Sequence, residues 1–164
     1  MLKRTSLIVV VLAGLLAVAV GSAIGTDASG VSAETARGPL VDRPLGVNMK
    51  FDDGSRIRLD SKGPIEVVTQ RIVALPNATF GWHSHSGPTV VTIFSGTMSF
   101  YHAEHCTTEI NYEPGDSFSN LPSEIHLARN ESTTENLVVY ATYYQPVGAP
   151  IRISQPSPGA ECPQ

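Results

Sequence analysis

Short stretches of strand-forming residues separated by turn residues fill the chain from residue 44 onward, and they restrict the fold to an all-β class. Residues 65–75 are rich in Val and Ile and end at a Pro-Asn pair, and residues 137–145 form a continuous apolar and aromatic run. Neither stretch, nor the sequence between them, carries an apolar stripe at helical spacing. Many short strands of this kind are typical of a β-sandwich or barrel.

A glycine turn predicts one hairpin within this pattern. Strand-forming residues at 89–94 and 97–101 flank the pair Ser95-Gly96. Two such runs around a tight, glycine-containing turn are typical of neighbouring antiparallel strands. We therefore expect these two strands to pair with each other.

Residues 1–33 predict a secretory signal outside the fold. Two basic residues precede an apolar run over 7–20, as in a signal peptide. Cleavage is expected after Ala23 or after Ala33, and Ala33 is preferred for its Val-x-Ala form. The alternative is an uncleaved membrane anchor, because residues 6–24 are about long enough to span a bilayer.

The remaining chain divides into a linker, one domain and a tail. Residues 34–43 are small and polar and lack an apolar period, which predicts a disordered linker. Residues 44–146 carry the strand pattern and have the length of one domain. Residues 147–164 are rich in proline, which predicts a tail that does not pair as a central strand.

Charge and cysteine content limit the partners and the compartment. The formal net charge is −4, which argues against a nucleic-acid partner, because such a partner requires a basic face. Cys106 and Cys162 both lie outside the signal, and export to an oxidising compartment favours a disulfide between them that tethers the tail. Two free thiols, or Cys106 as a metal ligand, are the alternatives.

Two histidines separated by one residue, His83 and His85, are the main candidates for a functional site. Side chains of residues i and i+2 on a β-strand point to the same face, so both imidazoles would enter one space. With His126 brought in by the fold, they would form a site for a divalent metal of borderline softness. An isolated His-x-His pair is as often a surface accident, so the neighbouring residues decide between the two.

The spacing around these histidines resembles the first sequence motif of the cupins, a family of double-stranded β-helix or jelly-roll barrels. That motif has a Gly, five residues, His-x-His, three or four residues, a Glu, six residues and a Gly. His83 and His85 occupy the histidine positions, and Gly96 is the closing glycine. Asn77 stands at the opening glycine, a mild departure because Asn tolerates a positive φ. Thr89 stands at the glutamate, and this departure removes the carboxylate.

The second cupin motif is matched in register with the first. Gly115, His126 and Asn130 have its spacing, whereas its inner Pro-x-Gly is blurred, with Ser123 at the Gly position. The resemblance covers residues 77–130 and implies that the predicted domain is a cupin barrel. Because this fold hosts many chemistries, the resemblance implies little about the substrate.

The resemblance also implies a metal centre in which His83, His85 and His126 bind a divalent ion, with iron, manganese, zinc and nickel as the candidates. Three neutral imidazoles leave the full 2+ charge in the pocket, unlike a set that includes a carboxylate. Such a centre should prefer a small anionic ligand.

Three further residues are candidates for contact with a substrate or with the ligands. Thr89 is a poor metal ligand and is expected to orient a water or a substrate. Glu124 lies two residues before His126 and would share its face in an extended segment. Asn130 follows His126 within the second motif.

The leading hypothesis is an exported, single-domain cupin whose metal site binds a small anionic molecule, with an iron-dependent oxygenase as one version. The alternative is a module that binds a metabolite or a metal without turnover, because no general acid or base stands beside the predicted ligands. A metal-free structural cupin is the third hypothesis. Analogy with cupins implies a homodimer, and membrane contact is expected only through an uncleaved N-terminal segment. The catalytic residues are not assigned.

Overall fold

The structure is a computed structural model that describes residues 26–40 and 45–164. This part consists of β-strands and one short 3₁₀ helix, Ala103–His105, so the all-β prediction is confirmed. Within it, no helix is long and apolar enough to cross a bilayer. The strands are β1 Ser29–Pro39, β2 Gly46–Lys50, β3 Arg56–Asp60, β4 Ile65–Thr79, β5 His83–Ser84, β6 Thr89–Ser95, β7 Met98–His102, β8 Ile110–Tyr112, β9 Ser117–Asn120, β10 His126–Arg129, β11 Leu137–Pro146 and β12 Ile153–Ser154.

The main sheet has ten strands and curls into a nearly closed barrel. Its hydrogen-bonded path runs β12-β5-β10-β4-β11-β6-β9, with β1 added to β4, and with β7 and β8 extending from β10. The strand pairs are antiparallel, and most neighbours in the sheet are far apart in sequence. The chain therefore crosses repeatedly from one side of the barrel to the other, as the predicted double-stranded β-helix requires.

β4 is the central strand of this arrangement. β1 pairs with one of its edges and β11 with the other. Its Val and Ile content suits a strand that is paired on both sides, and alternate residues such as Val68 and Ile72 are buried. The barrel interior forms one apolar core, which is completed by β6, β7, β10 and β11.

Residues 34–39 form the second half of β1, so the predicted disordered linker over 34–43 is wrong for these residues. The strand pairs with β4 in continuous register from Val31 to Pro39. Its side chains are small or polar and almost all exposed, so it offers no apolar period to recognise. Backbone hydrogen bonds along the edge of β4, rather than side-chain burial, hold this strand. Residues 41–43 of the predicted linker lie outside the described residues, as does the signal segment up to residue 25.

β6 and β7 do not form the predicted hairpin with each other. In the described part of the chain, β6 pairs with β11 and β9, whereas β7 pairs with β10 and β8. The chain turns between them at Gly96, where φ is +77° and a Cβ would lie 2.7 Å from the carbonyl oxygen of Asn136. The glycine thus permits a close crossing between two sides of the barrel. Asn77 has a φ of +58°, which fits its place at the opening glycine of the motif.

β2 and β3 form a separate two-stranded antiparallel sheet. Gly46 pairs with Asp60 at one end, and Lys50 pairs with Arg56 at the other. The two strands are largely exposed on both faces. The predicted domain range, 44–146, therefore includes a hairpin that lies apart from the barrel sheet.

The tail is held against the barrel. Cys106 and Cys162 form a disulfide with their Cα atoms 5.2 Å apart, which confirms the predicted pairing. The indole Nε1 of Trp82 donates to the carbonyl oxygen of Pro163 at 2.8 Å. Both cysteines and Trp82 belong to a second, smaller apolar cluster. The short strand β12 also pairs with β5 at the edge of the sheet, not at its centre.

Candidate metal centre

Three histidine side chains converge inside the barrel. His83 lies in β5, His85 follows directly after it, and His126 begins β10 as the cross-strand partner of His83. The ring centroids are 4.9, 4.4 and 5.1 Å apart, and the residues are at most 5% exposed. One nitrogen from each ring lies within 4.8 Å of the other two. The fold therefore brings the predicted ligands to one point, from segments about 40 residues apart in sequence.

A backbone carbonyl orients each imidazole. The distances from Nδ1 to oxygen are 2.7 Å for His83 and Gly81, 2.7 Å for His85 and Ile151, and 3.1 Å for His126 and Glu124. A carbonyl oxygen only accepts, so each neutral ring carries its proton on Nδ1 and keeps a free lone pair on Nε2. Contacts of this kind fix the tautomer and the ring orientation of metal-binding histidines.

Burial keeps the three rings neutral. It lowers the pKa of His83 to about 3, lowers the pKa of His85, and lowers the pKa of His126 well below its ordinary value. Repulsion from His85 lowers the pKa of His83 further, and the Arg152 guanidinium acts in the same direction. A metal ion binds only neutral imidazole, so these rings need no prior loss of protons at neutral pH.

The histidines line a small cavity with mostly apolar walls. It leaves about 40 Å³ for the centres of water molecules, which is room for roughly three of them. The ring of Phe100 stacks on His126 with centroids 5.0 Å apart, and Tyr143 meets His85 edge-on at 5.2 Å. Among the described residues, no carboxylate lines this cavity. The other wall residues are Ile72, Phe80, Val91, Met98, Phe118, Asn120, Ala128, Val139 and Ala141.

The donor set fits a divalent ion of borderline softness. Three free Nε2 lone pairs converge on one point, the rings are neutral, and each ring is held by a carbonyl on its other side. Imidazole nitrogen suits zinc, iron and nickel, and manganese also accepts it beside oxygen ligands. His83, His85 and His126 would hold such an ion, and none of the described residues that line the cavity carries a negative charge to neutralise it.

Thr89 and Glu124 do not supply the missing carboxylate. Thr89 is buried, but it is not part of the cavity wall, and its hydroxyl donates to the carbonyl oxygen of Gly87 at 3.4 Å. The carboxylate of Glu124 lies 2.7 Å from Nδ1 of His102 and accepts from the backbone N–H of Leu121 at 2.8 Å. The backbone carbonyl of Glu124 holds Nδ1 of His126, whereas its carboxylate acts on the centre only through its charge, which opposes the lowering of the pKa of His85.

Asn130 has a structural role away from the cavity. Its Nδ2 donates to the carbonyl oxygens of Ala74, Leu75 and Glu135 at 3.0, 3.0 and 2.8 Å. These contacts tie the end of β4 to the turn before β11. Asn130 therefore stabilises the barrel rather than contacting the histidines.

Asn120, which no sequence motif singles out, is 3% exposed and lines the cavity beside His126. It ends β9, where Phe118 and Asn120 both point inward, as alternate residues of a strand do. That alternation was the available signal, but a short Ser- and Asn-containing strand does not reveal which face is buried.

Comparisons with known proteins concern the fold. No family model matches the chain, and no curated protein does. Among solved structures, it is similar to a double-stranded β-helix protein from Klebsiella pneumoniae subsp. pneumoniae MGH 78578, with 19% identity over 55% of this chain and 70% of that chain, at a TM-score of 0.46. It is also similar to a cupin-like protein from Thermotoga maritima MSB8, with 18% identity over 61% of this chain and 82% of that chain, at a TM-score of 0.48.

A third solved structure is an oxalate oxidase in complex with the substrate analogue glycolate, with 14% identity over 52% of this chain and 44% of that chain, at a TM-score of 0.44. Similarity at these sequence identities and TM-scores concerns the fold alone. The chain's own strand order and nearly closed barrel show a double-stranded β-helix fold, and the two sequence motifs that lie in register on it resemble those of cupins.

Proposed function

We propose that this protein is an exported cupin that holds a divalent metal ion on His83, His85 and His126 and binds a small anionic molecule there. One observation carries the proposal: three buried, neutral imidazoles converge with their Nε2 atoms free and their Nδ1 atoms held by carbonyls. Such an arrangement buries polar nitrogens in an apolar interior, and a bound cation compensates for that cost.

Charge supports an anionic ligand. Three neutral ligands leave the charge of the ion uncompensated, and the described cavity wall contains no carboxylate. The guanidinium of Arg152 is close enough to lower the pKa of both His83 and His85. An anion that enters this pocket therefore meets positive charge from the ion and from Arg152, in a setting of low dielectric.

Size limits the ligand as well. The cavity leaves about 40 Å³ for water centres, so only a few non-hydrogen atoms fit beside an ion without displacing side chains. A small carboxylate or enolate meets both the charge and the size limits. A redox-active ion such as iron would add the capacity to bind and activate O₂, which is the basis of the oxygenase version of the proposal.

A binding module without turnover is the second candidate, and the chemistry of the wall favours it. Apart from the histidines, the titratable side chain in the described wall is the phenol of Tyr143. Burial raises the pKa of Tyr143 above its ordinary value, and its hydroxyl donates to Oε1 of Gln70 at 3.1 Å. This phenol is therefore a poor proton donor or acceptor for a reaction near neutral pH.

Metal content tests the three-histidine metal site, which both candidate functions require. We expect about one equivalent of metal per chain, after reconstitution with Fe²⁺, Mn²⁺, Zn²⁺ or Ni²⁺, by elemental analysis of the purified protein. His126→Ala should hold less than a tenth of an equivalent. His105→Ala is the matched control, because His105 is exposed and outside the cavity, and it should bind like the wild type. Less than a tenth of an equivalent in the wild type would overturn the proposal.

Oxygen uptake separates the two candidates. Iron-loaded protein titrated with small carboxylates should consume O₂ only when an anion is bound, if it is an oxygenase. Saturable anion binding without O₂ consumption would leave the binding module as the function.

Export rests on the apolar N-terminal segment together with the disulfide between Cys106 and Cys162. Disulfides persist in oxidising compartments, and a tail that depends on one suits a secreted or extracytoplasmic protein. Fractionation of expressing cells tests this part of the proposal, and recovery in the cytosol with both thiols free would contradict it.

A further inference from the structure

Asn120 is a buried amide whose oxygen, Oδ1, has no hydrogen-bond partner in the described part of the barrel. It ends β9, is 3% exposed, and lines the same cavity as the three histidines. A buried acceptor without a partner is costly and uncommon in folded proteins, so an unpartnered oxygen in a cavity wall points to a ligand in that cavity.

The other amide atom lies beside one of the metal-binding nitrogens. Nδ2 of Asn120 is 3.5 Å from Nε2 of His126. Nε2 is the atom that would bind the ion, since Nδ1 of His126 is held by the carbonyl of Glu124. Two ligand atoms on the same ion, each about 2.1 Å from it, are separated by roughly 3.0–3.4 Å. The end of the Asn120 side chain is therefore close to the position of a neighbouring ligand.

Asn120 also stands next to the position where the cupin motif has its carboxylate. It is the cross-strand partner of Thr89, and directly opposed residues of an antiparallel pair point to the same face. The hydroxyl of Thr89 is turned to the carbonyl of Gly87, outside the cavity wall. Strand β9 thus places the amide oxygen of Asn120 beside Thr89, the position at which the motif has a carboxylate and this chain does not.

We propose that the amide oxygen of Asn120 is a fourth protein ligand of the metal ion, in place of the carboxylate absent at Thr89. This inference rests on the proposed function, because it requires an ion on the three histidines. A half-turn of the amide about its last torsion exchanges Oδ1 and Nδ2, which brings the unpartnered oxygen to the site beside Nε2 of His126. Binding the ion then satisfies the buried oxygen.

A neutral oxygen ligand has two consequences for the centre. It leaves the 2+ charge of the ion intact, so the preference for an anion stays. It also reduces the open positions of an octahedral ion from three to two, which suits one anion that binds through two oxygens. Carbonyl oxygen favours ions such as Mn²⁺ and Fe²⁺ over softer ones, so Asn120 also biases the choice of metal.

Metal affinity and the spectrum of a bound ion test the inference. The probes are Mn²⁺, measured by competition with a chromophoric chelator, and Co²⁺, measured by its visible absorption. Asn120→Ala should weaken Mn²⁺ binding at least tenfold and shift the Co²⁺ bands, because a ligand atom is lost. Asn120→Asp should bind Mn²⁺ at least tenfold more tightly and bind small anions more weakly, because a carboxylate adds negative charge.

Asn130→Ala is the matched control. It removes a buried Asn whose side chain bonds only to the backbone, through three carbonyl oxygens and the N–H of Ser132, so it should lower stability and leave the Mn²⁺ affinity of the folded protein unchanged. Wild-type affinity and Co²⁺ bands in folded Asn120→Ala would overturn the inference while leaving the three-histidine site in place. Unchanged metal affinity with weaker anion binding would also overturn it, since the amide would then contact the anion. A wild type that binds no metal would overturn both proposals.

Discussion

Each of the three buried histidines donates its Nδ1 proton to a backbone carbonyl, and the three carbonyls come from separate segments of the chain. The tautomer and the orientation of each ring are therefore set when the barrel folds. A metal ion at this site would meet side chains that are already ordered and neutral. Because such an ion would bind the folded state and not the unfolded one, it should also raise the stability of the protein.

The same burial predicts that the metal-free protein loses stability as the pH falls below about 6.5. Histidines in the unfolded chain titrate near 6.5, whereas folded His83 titrates at about 3. Between these values the unfolded state binds more protons, so acidification lowers the free energy of unfolding. Buried His83 should contribute up to roughly 1.4 kcal/mol per pH unit in this window, and His85 and His126, whose pKa values burial also lowers, should act in the same direction. Urea unfolding of chelator-treated protein from pH 7 to pH 5 measures the slope.

His83→Gln is the control for this prediction. It removes one titrating group from the set, so its slope should be smaller than that of the wild type by about one histidine's share. A wild type whose free energy of unfolding stays constant from pH 7 to pH 5 would show that the rings are not buried in their neutral form.

At the scale of elements, partner choice is decided by long-range pairing. β6 and β7 are consecutive and flank a glycine turn, yet the turn carries the chain across the barrel to different neighbours. The side chains of β1 are small or polar and almost all exposed, yet the strand pairs along its length with one edge of β4. In both cases the backbone hydrogen-bonding partner is remote in sequence, so no local pattern identifies it.

The disulfide and Trp82 together form an element-scale anchor for the tail. Cys106→Ser should lower the free energy of unfolding by about 2–4 kcal/mol, because the cross-link no longer restricts the unfolded chain. It should also loosen the contact between Nε1 of Trp82 and Pro163. Trp82 is the only tryptophan in the sequence, so its fluorescence reports this contact directly. A shift of emission to longer wavelength in the folded variant is the expected result.

Reduction of the wild-type protein is the matching experiment, since it breaks the same bond without a substitution. It should reproduce the shift in emission and the loss of stability. Identical emission and unfolding in the oxidised, reduced and Cys106→Ser proteins would contradict an anchoring role for the disulfide.

At the scale of the whole molecule, the structure bears on where the predicted signal would be cleaved. The backbone N–H of Thr26 donates to the carbonyl of Gln155 at 2.9 Å, and its carbonyl accepts from Arg152 at 2.8 Å. Cleavage after Ala33, which the sequence pattern prefers, would remove these contacts and the first part of β1. We therefore expect cleavage after Ala23.

N-terminal sequencing of the exported protein, or its intact mass, checks this prediction. The expected mature chain begins at Ile24. A mature chain that begins at Glu34 would show that the first half of β1 is dispensable, and a chain that keeps its first residues would favour the uncleaved anchor.

Features that depend on local chemistry and on spacing along the chain could be predicted before the fold was known. Alternating and apolar runs identified an all-β sandwich or barrel, and the resemblance of two motifs in register to those of cupins implied the barrel and grouped His83, His85 and His126 as one set. Asn77 was recognised at a position of positive φ, because few residues tolerate that conformation. The disulfide was predicted from the presence of two cysteines in a chain with a predicted export signal.

Features that depend on contacts between remote segments could be identified only from the three-dimensional fold. In the fold, Asn120 lies in the cavity wall, the carboxylate of Glu124 pairs with His102, and the side chain of Asn130 donates to the backbone near the end of β4. The fold also assigns the polar residues 34–39 to a strand. Spacing along a strand determines which residues share a face, and this can be read locally. Which strands meet across the cavity depends on how the barrel closes, and no local pattern contains that information.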